Sequence, residues 1–217
     1  MTERQQLTPS LVAVPAPPGT PLDPRVARSR RSITEALLDL LAAGRPYETL
    51  TVSEIASKAA VTRKTFYAHF GSVDDIVRQM AAELLRGLAA RIDDTSFRLP
   101  LTSEDLGRAI FRRLHERLDA LAPLATCCPS TLFVQPAREA FIDVLVARVV
   151  QVNQLGPIPD FDRDYLAHLA GGALHATIAA WAERDFADAP DEVADFLMEM
   201  LGPVANRIFR QAAPETH

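Results

Sequence analysis

One stretch, residues 51–70 (TVSEIASKAAVTRKTFYAHF), carries the side chains best suited to meeting another molecule. Arg63 and Lys64 are fixed cations, Thr62, Thr65 and Tyr67 bring hydroxyls, and His69 adds an imidazole. Crowded onto one short helix, these groups suit a polyanion that also presents base edges. Arginine and lysine can reach the O6 and N7 acceptors of guanine in a major groove, and threonine can meet a phosphate or a thymine methyl. Tyr67 and His69 can donate to phosphates, which position a protein without reading sequence. The chain has no glycine-rich phosphate loop, nucleophile elbow or His-Glu-x-x-His run. An enzyme is not expected, nor a cofactor, nor a metal.

The flanking residues must hold that helix in place. Thr51 stands three before Glu54, the spacing of a capping box, and opens a first short helix whose buried side is Ile55, Ala56 and Ala59. Ala60 and Val61 make the turn, and Thr62 caps the second helix, expected to run to Phe70. Phe66 and Phe70, four apart, share a face and should plug a core, leaving Arg63, Lys64, Tyr67 and His69 outside. Gly71 closes the helix, and Ser72 with Asp75 caps the next. Upstream, Asp23 and Pro24 start a helix that aligns Ile33, Leu37, Leu40 and Leu41 and ends at Gly44. Arg28, Arg30 and Arg31 lie near its start, in reach of phosphates.

Composition agrees with a helical protein. Of 217 residues 48% are hydrophobic and only 6% aromatic, with alanine and leucine prominent, and no alternating run marks a strand. The net charge of −5 is unevenly spread. Residues 23–71 hold eight basic and five acidic side chains, whereas residues 72–217 hold fourteen basic and twenty-two acidic. A basic head on an acidic body implies a polyanionic partner for the head alone. Cys127 and Cys128 are adjacent and fit neither a disulfide framework nor a zinc set, which points to a reducing cytoplasm and inert buried thiols. No signal peptide and no membrane span is expected.

The remaining chain divides by its prolines and its apolar spacing. Residues 1–23 hold five prolines and read as a flexible tail. Residues 72–92 form a long amphipathic helix through Ile76, Met80, Leu84 and Leu88. A second is expected over 102–122 through Leu106, Ile110, Leu114, Leu118 and Leu121, after which Pro123, Pro129 and Pro136 should cut the chain into short pieces. Further helices are expected over 138–154, 162–185 and 190–210. The helix over 162–185 is apolar and contains Gly171 and Gly172, which suit close helix approach. Polar residues here have two readings, handles in an apolar cavity or parts of the core. His168 and His175 are seven apart, about 10 Å along a helix, too far to chelate a metal together.

Residues 51–77 resemble the DNA-binding segment of TetR-family transcriptional regulators. The resemblance rests on Thr51, Ile55, Ala56, Ala59, Val61, Thr62, Thr65, Phe66, Tyr67, His69 and Phe70, without a gap. Ala60 stands where the family has a turn glycine, and Val73 where it often has a lysine. The resemblance implies an all-α chain with three regions: a tail over 1–23, a helix-turn-helix domain over 24–71, and a helical effector-binding and dimerisation body over 72–217. It implies a cytoplasmic repressor that binds a double-stranded DNA operator, releases it on meeting a small apolar effector, and forms a homodimer through its last two helices, with the face that carries Gly171 and Gly172 packed between the two copies rather than within one. The residues expected at DNA are Arg28, Thr51, Thr62, Arg63, Lys64, Thr65, Tyr67 and His69. Those considered for the effector are Phe111, His115, Cys127, Phe141, Tyr165, His168 and His175. The competing expectation is a ligand-binding or scaffolding protein that keeps the helix-turn-helix without controlling transcription.

Overall fold

The computed structural model describes residues 24–213, except the side chains of residues 119–121. The 1–23 tail, the Asp23 cap and the apolar position at Leu121 lie outside the described residues. Every regular element within them is helical, as expected.

Helix α1 (Pro24–Ala42) buries Ile33, Leu37 and Leu41. It stops at Gly44, whose φ of +79° lets the amides of Gly44 and Arg45 turn back to the carbonyls of Leu41 and Leu40 at 2.9 and 3.0 Å. A residue without Cβ takes up that left-handed stop at no steric cost. A 3₁₀ turn (Tyr47–Thr49) leads to α2 (Val52–Lys58), α3 (Arg63–Tyr67) and α4 (Val73–Ala89). Each of these three helices begins at its expected cap. The side chains of Thr51, Thr62 and Ser72 accept from the amides of Glu54, Thr65 and Asp75 at 3.2, 3.0 and 3.1 Å. The capping box at Thr51 is only half made, because the Glu54 carboxylate bonds Arg45 Nε at 3.1 Å.

The body departs from the sequence expectation in its middle. The helix expected over 102–122 is a π turn (Ser103–Gly107), then α5 (Arg108–His115) and α6 (Leu118–Cys127), with Arg117 out of helical geometry between them. The apolar spacing continues through the break, but the two pieces serve different neighbours. Helix α5 packs on α10, and α6 on α9 and α1. Only Pro129 falls between helices. Pro123 lies within α6 and Pro136 within α7 (Thr131–Ala140), so neither breaks the chain where expected. The helix expected from 138 starts earlier, at Thr131, and continues through a π segment (Phe141–Val146) into α8 (Ala147–Asn153). Helices α9 (Asp160–Glu183) and α10 (Pro190–Gln211) close the fold close to their expected bounds.

Three apolar clusters hold these elements. The first is the core of the head, and it is not built from the head alone. Leu124 and Cys128, from the end of α6, and Leu132 of α7 pack among Leu37, Ile55, Phe66, Phe70 and Ile76. The second joins the 92–106 segment to α8 and α10. There Asn153 and Asn206 satisfy the backbone of the connecting loop, Asn206 accepting from the Leu101 amide at 2.7 Å and Asn153 from the Leu99 amide at 2.9 Å. The third gathers Phe111, Leu114, Trp181 and Leu197. Arg108 clamps α5 to α10 through Asp195, at 3.0 and 2.9 Å.

The two glycines of α9 prove unequal. A Cβ on Gly171 would lie 2.9 Å from the Arg138 backbone nitrogen, so this glycine lets α9 approach α7 within one chain, not a second copy as expected. A Cβ on Gly172 would meet nothing within 4 Å. Because the obstacle at Gly171 is backbone rather than a flexible side chain, Gly171→Ala should lower unfolding stability by about 1–3 kcal/mol in urea titration. An unchanged midpoint would show that α7 yields without cost.

Candidate nucleic-acid interface and effector cavity

Helix α3 is short and strongly anchored. Phe66 is fully buried and Phe70 nearly so, their ring centroids 6.1 Å apart. Helix α3 ends at Tyr67 rather than at Phe70, although the Phe70 amide still reaches the Phe66 carbonyl at 2.9 Å. With the phenylalanines inward, Arg63 and Lys64 stand exposed on the opposite side, and Tyr67 is 51% exposed with its ring edge against Phe66. Thr62 and Thr65 are tied to one another, hydroxyl to hydroxyl at 2.9 Å, in addition to the cap. Thr51 is exposed at the start of α2, and Arg28 is exposed on α1.

His69 sits apart from this group. It is half-buried and lines a groove of about 540 Å³ between α1, α4 and α7, with Arg30, Glu83 and Gln135. Burial, and then the positive charge of Arg30, hold its pKa below the ordinary value. Arg30 itself pairs with Glu83 of α4 and lies 4.8 Å over the Phe70 ring, so α1 is fastened to α4 beside the end of α3. A further tie is one that apolar spacing gives no hint of. Tyr47 is buried in the α1–α2 connection and donates its hydroxyl to Asp74 of α4 at 2.6 Å. Burial first, and the Asp74 carboxylate second, push the Tyr47 phenol's pKa up.

In the body, α4, α5, α6, α7 and α9 enclose a cavity of about 40 Å³. Leu84 and Leu85 of α4, Leu124 of α6, Phe133 of α7, and Leu174 and Ile178 of α9 make most of its wall. The one polar residue lining it, among the described residues, is His175, whose ring lies parallel to Phe133 with centroids 6.0 Å apart.

Residues 33–80 match the family model of bacterial regulatory proteins, tetR family. The helix-turn-helix segment of the chain is thus similar to that of the tetR family. A 32% identity over 82 residues links it to the uncharacterized HTH-type transcriptional regulator YxbF of Bacillus subtilis (strain 168), covering 36% of this chain and 22% of that protein. The chain thus spans about a fifth of that curated relative. The fold is also that of FadR from Thermus thermophilus, a TetR-family transcriptional repressor solved with lauroyl-CoA, at 21% identity and a TM-score of 0.55 over 79% of this chain and 92% of that one. The fatty acid degradation regulator FadR from Bacillus halodurans aligns at 15% identity and a TM-score of 0.52, over 84% and 96% of the two chains.

Of the eight residues expected at DNA, seven lie on the head surface, and His69 faces the groove instead. Of the seven considered for the effector, His175 alone lines the cavity. Phe111 is buried in the third cluster, and His115 is exposed and stacked on Trp181 at 5.9 Å. Phe141 packs on the second cluster. Tyr165 is exposed, and so is His168, whose ring bonds the Asp164 carbonyl oxygen at 2.7 Å. The two thiols also differ. Cys127 is exposed, contrary to expectation, while Cys128 is buried and its pKa is pushed up to about 12 by that burial. The cavity wall was missed because its leucines and alanines have the same spacing as any core-facing helix side. Among the described residues no cluster of His, Cys, Asp and Glu could hold a metal, and no helix is long and apolar enough to cross a membrane.

The turn before α3 keeps its left-handed geometry without glycine, since Ala60 has φ +54°. Its Cβ makes that conformation costly. Ala60→Gly should therefore raise stability by about 1 kcal/mol in chemical denaturation, with the head otherwise unchanged. A loss of stability would show that the strain is absent.

Proposed function

We propose that this chain is a homodimeric repressor whose two heads bind a palindromic operator and are released by a small apolar effector held in the body. The observation that carries the reading is the split character of α3, where Phe66 and Phe70 are sunk in the core and Arg63, Lys64 and Tyr67 are left outward. A helix so anchored can enter a major groove with its N-terminal end leading, Arg63 and Lys64 at base edges and Thr51, Thr62, Thr65, Tyr67 and Arg28 nearer the backbone. Two heads related by a dyad would meet half-sites roughly 34 Å apart.

The dimer reading rests on apolar side chains left outside at the end of the chain. Phe161, Tyr165 and Leu169 recur every four residues along α9, and Phe196 and Met200 stand exposed on α10. Water would contact all five in a lone chain, so a second copy covering them in a four-helix bundle is favoured. The release reading rests on shared walls. Helix α4 lines the cavity with Ala81, Leu84 and Leu85 while its first turns carry Ile76 and Val77 in the head core. Leu124 belongs to both the cavity and the head core. An effector acts through this connection by preferring one placement of the heads over another. Such a repressor works in the cytoplasm, beside the genome.

Footprinting on genomic fragments selected by the protein tests the first part. Arg63→Ala should cost about 1–3 kcal/mol of operator affinity and relax the preference at one position, and wild-type affinity should fall steeply as salt rises. An unaltered footprint in Arg63→Ala and Tyr67→Ala would rule out the assigned reading helix. Sedimentation equilibrium tests the second part. The wild type should be dimeric, and Phe161→Glu combined with Met200→Glu should give a folded monomer by circular dichroism; a dimer that persists would place the interface elsewhere.

A further inference from the structure

The cavity wall differs from an ordinary core in one respect. All its lining residues are apolar except His175, and no lysine or arginine is among them. The His175 ring is half-buried against Phe133, and its nitrogens make no hydrogen bond among the described residues. Burial holds its pKa below the ordinary value, so the ring is neutral at pH 7 and offers one N–H and one lone pair. A carboxylate or phosphate entering here would lose its hydration and gain no cation, a heavy penalty in an apolar surround. A hydroxyl or carbonyl would lose less and could bond the imidazole. The 40 Å³ of open space holds no drug-sized molecule, so the occupant must part the side chains of α7 and α9, which a flexible hydrocarbon chain does most readily.

We propose that the effector is an uncharged, largely hydrocarbon molecule bearing a single hydroxyl or carbonyl group, and that His175 binds that group and sets the specificity of the site. This inference rests on the reading of the cavity as the effector site, and it can fail separately from it. The test uses DNA-free protein at pH 8 with two probes of equal chain length, 1-octanol and octanoate, followed by calorimetry. Octanol should bind at least tenfold more tightly than octanoate. His175→Leu should weaken octanol about tenfold, the loss of one hydrogen bond, while His175→Gln, which keeps a donor and an acceptor, should stay within about threefold of the wild type. In the wild type, the imidazole resonances of His175 should move on adding octanol, a readout that does not depend on any variant folding. Equal affinity for both probes, no octanol binding, undiminished octanol binding in His175→Leu, or unmoved His175 resonances would each overturn the inference. Operator footprinting with and without octanol then addresses the release reading alone. Octanol binding that leaves the footprint intact keeps the ligand class and removes the release mechanism.

Discussion

Phe66 and Phe70 set the direction of everything on α3. Burying each ring stabilises the head by roughly 2–3 kcal/mol, more than any exposed hydrogen bond on that helix could contribute. Once both are inside, the helix has no rotational freedom left, and Arg63 and Lys64 must face away from the core. The groove beside them is fastened by the same residues, because the Phe70 ring lies under Arg30 and Arg30 pairs with Glu83. The basic surface is thus a consequence of apolar packing beneath it.

That packing also reaches the body. The head core is completed by Leu124 and Cys128 from the end of α6 and Leu132 from α7, so the head cannot be treated as an independent bead on α4. Protein interiors are close-packed, and a change in volume on one side of a shared wall must be accommodated on the other. Leu124 is such a wall, with the cavity on one side and the head core on the other. The Tyr47–Asp74 hydrogen bond adds a polar tie between the α1–α2 connection and the start of α4. Head and body are therefore joined at two places, through α4 and through the corner between α6 and α7.

Much of the head was legible in its amino acids because its determinants are local. Caps at Thr51, Thr62 and Ser72 act within three residues, and the stop at Gly44 within five. Spacing of four placed Phe66 and Phe70 together. His69 was assigned to the outer surface by the same spacing, yet it lines the groove because α3 ends at Tyr67 and the chain has turned. In the body, local rules were outweighed. Leu106 to Leu118 keep a helical spacing through the break at Arg117, and Pro123 and Pro136 sit inside helices. Tertiary contacts with α9, α10 and α1 decided those bounds.

The sequence by itself determined the helical class, the caps, the anchored basic helix and the likeness of the head to the tetR family, because each depends on residues close together in the chain. Only the tertiary structure decided which leucines wall a cavity and which fill a core, that His175 rather than His168 enters that wall, and that Gly171 serves a contact within one chain. Apolar side chains on different helices look alike in sequence. What separates them is the space left when five helices meet, and no single helix carries that information.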